Sequence, residues 1–189
     1  MTITDSWQEQ VVATKAWLDR RDSAPRQNGV YPEIGPGLVS LYLEFLGRHR
    51  RTRVLDIGCG RGKRRQHFLG GYVGIDAMAE PDRAAFPLVR GRAEELPWPD
   101  ASFDGVLIIE ALDHFEDPAR TAAEALRVLR SGGDLLIFLR NGAPEAPAEA
   151  AVHHHLFDAP GLTALFAHGL AAWRLAEDAS YMLLLGERR

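Results

Sequence analysis

Three glycines and two carboxylates carry the clearest chemistry in this sequence. Gly58, Gly60 and Gly62 stand at every second position, directly after the apolar residues Val54, Leu55 and Ile57. A packed strand cannot continue through that spacing, which instead makes a tight turn whose backbone can approach a ligand. A second run, Tyr72-Val-Gly-Ile-Asp76, ends in a carboxylate twenty positions after Asp56. In nucleotide-binding α/β sheets, an acid at the tip of the second strand accepts hydrogen bonds from ribose hydroxyls. The two stretches together predict a nucleoside-containing cofactor lying across the carboxyl ends of neighbouring strands. Groups that could orient or deprotonate a second substrate come later, at Asp113-His114 and in the run His153-His-His155.

Several readings of these residues compete. The dinucleotide fingerprint needs G-x-G-x-x-G, whereas here the third glycine comes one place early and Lys63 fills its position. Adjacent histidines in an extended segment point to opposite faces, so at most two of residues 153–155 could share an ion. No Cys or Asp stands at ligand spacing beside them, and no metal is expected. Instead, His154 and its neighbours either line a substrate pocket or sit on the surface. His114 either orients a substrate or packs under the loop that carries it. Arg61, Lys63, Arg64 and Arg65 crowd the start of a helix, where cations oppose the helix dipole; they form a solvated face or answer a nearby anion. Cys59, the single cysteine, has no partner for an internal disulfide and fits the turn as a small residue.

The stretch VLDIGCGRG followed by VGID resembles the first two motifs of class I S-adenosylmethionine-dependent methyltransferases. Gly91-Arg-Ala-Glu-Glu-Leu-Pro97, Ser102-Phe-Asp-Gly105 and Arg127-Val-Leu-Arg-Ser-Gly-Gly133 are similar to that family's later motifs, in the same order. Within the family, the chain looks like the small-molecule, ubiquinone- and menaquinone-biosynthesis type (methyltransferase type 11). The resemblance implies S-adenosyl-L-methionine as cofactor and a small-molecule acceptor methylated on oxygen, nitrogen or carbon. It brings the backbone at Gly58, Cys59 and Gly60 to the methionine and ribose, with Asp56 reaching the amino group directly or through water. It gives the ribose hydroxyls to Asp76, and adds Ala77 and Glu110 to the cofactor's surroundings. The family often has Asp before Ala-Glu, accepting from the adenine amino group, but here Arg92 stands there, and a guanidinium has no acceptor. That leaves the Ala93 N–H for the ring and Glu94 as a substitute acceptor. Asp113, His114 and His154 are the candidates on the acceptor side. The rival from another class is a non-catalytic S-adenosylmethionine-binding regulatory or partner protein.

Positioning these residues requires alternating strands and helices. Ser6-x-x-Glu9 fits a capping box, and Trp7, Val11 and Leu18 recur at helical spacing, predicting a helix over about 6–20. Residues 21–37, with Tyr31, read as a loop. Leu38, Leu41, Tyr42, Phe45 and Leu46 predict a second helix stopped at Gly47; such N-terminal helices either cover the sheet or lie over the site. Only ten residues separate Asp76 from a third strand at about 87–91, fewer than a parallel crossover normally takes. The helix there is trimmed, leaving one sheet face thinly covered. A fourth strand over 103–110 follows, then a helix capped by Asp117 with Pro118 at its first position and ended by Gly132-Gly133. A fifth strand at 135–139, a helix from Asp158 to Gly169 and strands at about 171–177 and 181–186 complete the pattern. Such alternation implies a doubly wound, Rossmann-like α/β sheet. The resemblance adds seven strands in the order 3-2-1-4-5-7-6, with the last antiparallel.

With 189 residues, the chain fits one domain, expected as an N-terminal helical cap over 1–50 and a core over 51–189. A net charge of −4 gives no field favouring nucleic acid. No apolar run approaches the ~18 residues of a membrane span, and the N-terminus lacks the pattern of a signal peptide. The expectation is a cytoplasmic monomer or homodimer without nucleic-acid or membrane partners.

Overall fold

The computed structural model describes residues 35–141 and 154–189. The helix expected over 6–20, Tyr31 and His153 lie outside the described residues. Seven strands form one sheet: β1 (Val54–Ile57), β2 (Tyr72–Asp76), β3 (Leu88–Arg90), β4 (Phe103–Ile109), β5 (Leu129–Arg140), β6 (Leu170–Glu177) and β7 (Tyr181–Arg188). Their order is β3-β2-β1-β4-β5-β7-β6. The first five run parallel, and β7 is antiparallel to β5 and β6. This is the expected Rossmann-like topology, including the shortened crossover.

Among the described residues, three α-helices cover the sheet: α1 (Pro36–His49), α2 (Pro118–Val128) and α3 (Ala159–Phe166). Successive strand residues serve opposite faces. On β4, Val106 and Ile108 join Ala122, Ala125, Leu162 and Phe166 of α2 and α3. Leu107 and Ile109 join Leu38, Leu41 and Phe45 of α1. With both faces covered, β1 is buried at all four positions, which is why it reads as an unbroken core strand apart from Asp56. α1 therefore serves as sheet cover along its length. The expected caps are present: Asp117 accepts from Arg120 N at 2.9 Å, and Asp158 accepts from Gly161 N at 2.8 Å.

Two boundaries differ from expectation, each for a tertiary reason, while the crossover before β3 is trimmed as expected. Gly47 does not stop α1, which runs on to His49 because that residue is itself anchored in the interior. Gly132-Gly133 does not end α2. The helix stops at Val128 and the chain enters β5 at once, with a register shift against β4 between Phe103 and Gly105. The trimmed crossover keeps only a 3-10 turn, Pro81–Arg83. Its cover comes from Phe86, whose ring lies 5.3 Å from that of Tyr72, while β3 stays half-buried or exposed throughout.

At the amino edge of the sheet, His49 Nε2 donates to Asp134 Oδ2 at 2.8 Å, Arg48 donates to both Asp134 oxygens, and Thr52 lies 3.0 Å from His49 Nδ1. Burial alone would raise the Asp134 carboxyl, but the bonds from His49 and Arg48 outweigh it and hold the pKa below the usual range. A lowered folded-state pKa contributes stability above the unfolded pKa, and that contribution is lost as pH falls through the folded value. Asp134→Ala should cost about 1–3 kcal/mol at neutral pH, because His49 is left buried without its acceptor. In urea titrations the gap from the parent protein should narrow as pH falls below the ordinary carboxylate range and through the lowered folded-state pKa, where the carboxyl protonates; a gap independent of pH would assign the loss to packing.

Candidate functional site

The carboxyl ends of β1, β2 and β4 meet where the strand order reverses, between β1 and β4, the place where ligands bind in open α/β sheets. After β1 the chain turns through Gly58, Gly60 and Gly62, at φ +70°, +54° and +68°. Gly58 and Cys59 both donate to Ile75 O, at 2.9 and 3.2 Å, and Gly62 donates to Cys59 O at 2.9 Å. The turn is thus laid over the end of β2. There, Gly60 N–H donates to Asp76 Oδ2 at 2.8 Å and Met78 N–H to Asp76 Oδ1 at 2.8 Å.

The two sides of this turn differ. A Cβ on Gly58 would fall 2.4 Å from Ala111 Cβ, and one on Gly62 would fall 2.2 Å from the Phe86 ring. A Cβ on Gly60 would meet nothing within 4 Å. The turn is packed from behind and open in front, beside a carboxylate that keeps lone pairs for two further donors. That combination fits a ribose with vicinal hydroxyls. Burial, opposed by the two N–H donors, raises the Asp76 pKa. Ala77 follows, half-buried, its carbonyl accepting from Arg90 Nε at 3.3 Å.

Asp56 lies in the interior, held by the chain's own residues. It is 0% exposed, and its oxygens accept from Arg64 Nε at 3.0 Å, Arg64 Nη2 at 3.3 Å and the Tyr72 hydroxyl at 2.5 Å. The anion that answers Arg64 of the basic cluster is therefore the chain's own. Cys59 is buried, and desolvation, with Asp56 and Asp76 nearby, pushes its thiol far up. It is a neutral packed group and no nucleophile.

Glu94 also turns inward. Its Oε1 accepts from the N–H groups of Glu116 and Asp117 at 2.9 and 3.3 Å, and Arg92 Nε reaches Oε2 at 3.4 Å. Arg92 Nη2 donates to Glu116 Oε2 at 2.6 Å. The Arg92–Glu94 segment thus clamps the loop after β4. Ala93 is buried between them.

Glu110 follows β4 at φ +48°, a left-handed conformation that costs a non-glycine residue on the order of 1–3 kcal/mol. Its N–H donates to Phe138 O at 2.8 Å, so the sheet holds it there. The strained step swings Leu112–His114 into a 3-10 turn with Leu112 fully buried. Asp113 O accepts from His154 N at 2.9 Å and His155 N at 3.3 Å. The loop after β4 and the chain returning from beyond β5 are brought together at the same edge as the glycine turn. His114 is half-buried and His154 exposed. Among the described residues, no cluster of three or more His, Cys, Asp or Glu is placed to hold a metal.

Tyr72, Phe86 and Glu116 belong to the site's framework and carried no motif signal. Tyr72 is legible only once β1 and β2 are known to be neighbours, because Val54 pairs with Tyr72 and Asp56, two residues on, shares that face.

Comparison with known proteins agrees with this geometry. A family described as a methyltransferase domain matches residues 55–137. An uncharacterized methyltransferase of Mycobacterium tuberculosis is 37% identical over 116 residues, covering 57% of this chain and 47% of that protein. The O-methyltransferase rstn1 of Aspergillus nomiae is 35% identical over 136 residues, covering 62% and 60%. The chain thus spans about half the length of the curated relatives it matches. A Burkholderia thailandensis 1,6-didemethyltoxoflavin-N1-methyltransferase, solved with that compound and S-adenosylhomocysteine bound, superposes with a TM-score of 0.68 at 19% identity, over 100% of this chain and 91% of that one. Among the described residues, no helix is long and apolar enough to cross a membrane. The matched family, the strand order and the packed glycine turn agree: residues 55–137 are similar to a methyltransferase domain, in the fold of the class I, S-adenosylmethionine-dependent enzymes.

Proposed function

We propose that this protein moves the sulfonium methyl of S-adenosylmethionine to an oxygen, nitrogen or carbon of a small-molecule acceptor. The observation that carries the reading is the Gly60 N–H on the Asp76 carboxylate, beside a turn open only at Gly60. In this reading, Asp76 takes the ribose hydroxyls, and the backbone at Gly58–Gly60, Ala77 and Glu110 lines the nucleoside and methionine. The Ala93 N–H faces the adenine. The whole chain acts as one domain, with residues 1–50 as its cap. The relatives support a small acceptor: one is named an O-methyltransferase, and a structural neighbour is a 1,6-didemethyltoxoflavin-N1-methyltransferase with that compound bound.

The bound cofactor supplies an activated methyl whose leaving group is a neutral thioether. The protein's task is to hold an acceptor in line with it and keep water away, which is catalysis by positioning. Asp113 and His114, with His154 drawn to them by the backbone bonds, form the acceptor wall. Where the acceptor must lose a proton, His114 is the base within this group.

The rival is a binding protein without transfer, and the observation favouring it is that Arg92 and Glu94 are spent on Glu116. Titration calorimetry with S-adenosylmethionine, S-adenosylhomocysteine and NAD should show binding of the first two and none of the third; tight NAD binding would overturn the assignment. His114→Ala and His154→Ala should each lower turnover of a productive acceptor by more than they lower cofactor affinity. Cofactor binding with no turnover across oxygen, nitrogen and carbon acceptors would favour the rival.

A further inference from the structure

Beneath the glycine turn lies a charged unit that the proposed transfer does not use. Asp56, Arg64 and Tyr72 are joined there by three hydrogen bonds of 2.5–3.3 Å. Asp56 would be costly to bury alone, and breaking such a pair leaves an uncompensated charge. Its effect on Arg64 outweighs burial and raises the guanidinium pKa, while burial and Asp56 together keep the Tyr72 hydroxyl protonated. Tyr42 from α1, Cys59 from the turn and Asp76 from β2 also face the unit, and His67 packs edge-on to Tyr42 at 6.4 Å.

Arg64 belongs to the 3-10 helix Lys63–His67, none of whose residues is buried. A helix that buries no apolar side chain gains little from packing, yet this one begins where the glycine turn ends. The upstream end of the turn is tied to β2 through Ile75 O. The downstream end is tied to β1 by a guanidinium reaching back from Arg64 to Asp56.

We propose that the Asp56–Arg64 pair positions the cofactor turn. It fixes Gly60 and Asp76 for the nucleoside, and Asp56 acts on the cofactor only through Arg64, without touching the amino group. This rests on the cleft being an S-adenosylmethionine site. The pair is a positioning unit, and its influence falls on the nucleoside half of the ligand.

Two ligands separate the alternatives. S-adenosylhomocysteine carries the amino-acid portion; 5′-methylthioadenosine keeps the adenine, ribose and sulfur and lacks it. Asp56→Asn and the charge-balanced pair Asp56→Asn/Arg64→Met should weaken both ligands by the same factor, on the order of tenfold. The pair should be no weaker than the single variant, because both break one unit. Arg64→Lys, which keeps the charge, should fall between these and the parent. If the single variant does not fold, the charge-balanced pair carries the comparison. Tyr72→Phe, which removes one hydrogen bond and no charge, repeats it at smaller amplitude. A loss confined to S-adenosylhomocysteine would mean that Asp56 reads the amino group, and no loss with either ligand would mean that the pair has no part in the site; both overturn the proposal. Failure of the parent protein to bind either ligand would instead overturn the cofactor reading itself.

Discussion

Gly58→Ala should destabilise the fold and abolish cofactor binding in one step. The residue sits at φ +70°, where an L side chain costs about 1–2 kcal/mol. Its new methyl would also arrive 2.4 Å from Ala111 Cβ and 3.0 Å from the Phe115 ring. Neither neighbour can retreat easily, because Ala111 is buried and Phe115 packs against the core. Overpacking of that kind adds about 1–3 kcal/mol. A total near 2–5 kcal/mol lowers Tm by about 4–20 °C for a chain of this size. Differential scanning calorimetry gives the shift, and titration with S-adenosylhomocysteine gives the binding loss. An unchanged Tm would show that the loop after β4 yields without cost, and would remove it as the rear wall of the turn.

Asp76→Ala should do the reverse, sparing Tm while weakening S-adenosylhomocysteine by about 1.5–3 kcal/mol, on the order of ten- to hundred-fold. The pH dependence gives a second signature. Burial raises this carboxyl above its ordinary pKa. A raised folded-state value means that the group favours folding below the unfolded pKa and loses that contribution as pH rises through the folded value. At neutral pH the free protein therefore holds a costly anion, and donors from a ribose offset the cost. Affinity of the parent protein should fall as pH drops through the raised pKa, because the protonated acid accepts less well. The Asp76→Ala variant should show no such fall in that window. Equal affinities of parent and variant would leave Asp76 as a turn residue that binds the Gly60 and Met78 N–H groups and nothing more.

Much of the fold was legible because its signals are local. The apolar runs of β1, β4 and β5, the Asp117-Pro118 and Asp158 caps, and the short crossover before β3 all follow from neighbours in sequence. What failed was the reading of glycines as stops. Gly47 and Gly132-Gly133 sit in or beyond elements whose ends are set elsewhere, by the buried bonds of His49 and by the pairing of Leu129 with Phe103. The site divides in the same way. Asp76, Gly60 and the contact between residues 113 and 154–155 were approachable through motifs and strand ends. Asp56, Arg64 and Glu94 were not, because their partners lie across strands or loops and motif position says nothing of which way a carboxylate turns. Arg64 was visible as a charge misplaced against a helix dipole, and that signal needed the neighbouring strand to be resolved.

The exposed edge at β3 has a kinetic consequence. This strand is three residues long, is half-buried at best, and pairs with β2 alone. Local opening follows the weakest burial and the fewest shared hydrogen bonds, so this edge parts from the sheet at less cost than β1 or β4. In the proposed reading, the adenine side of the cleft rests on that edge, whereas the glycine turn rests on the buried centre. A nucleoside therefore meets one firm wall and one yielding wall. In that reading its residence time follows how often the yielding wall swings away, and the Arg92–Glu116 ion pair, which ties the segment after β3 to the loop after β4, opposes that motion.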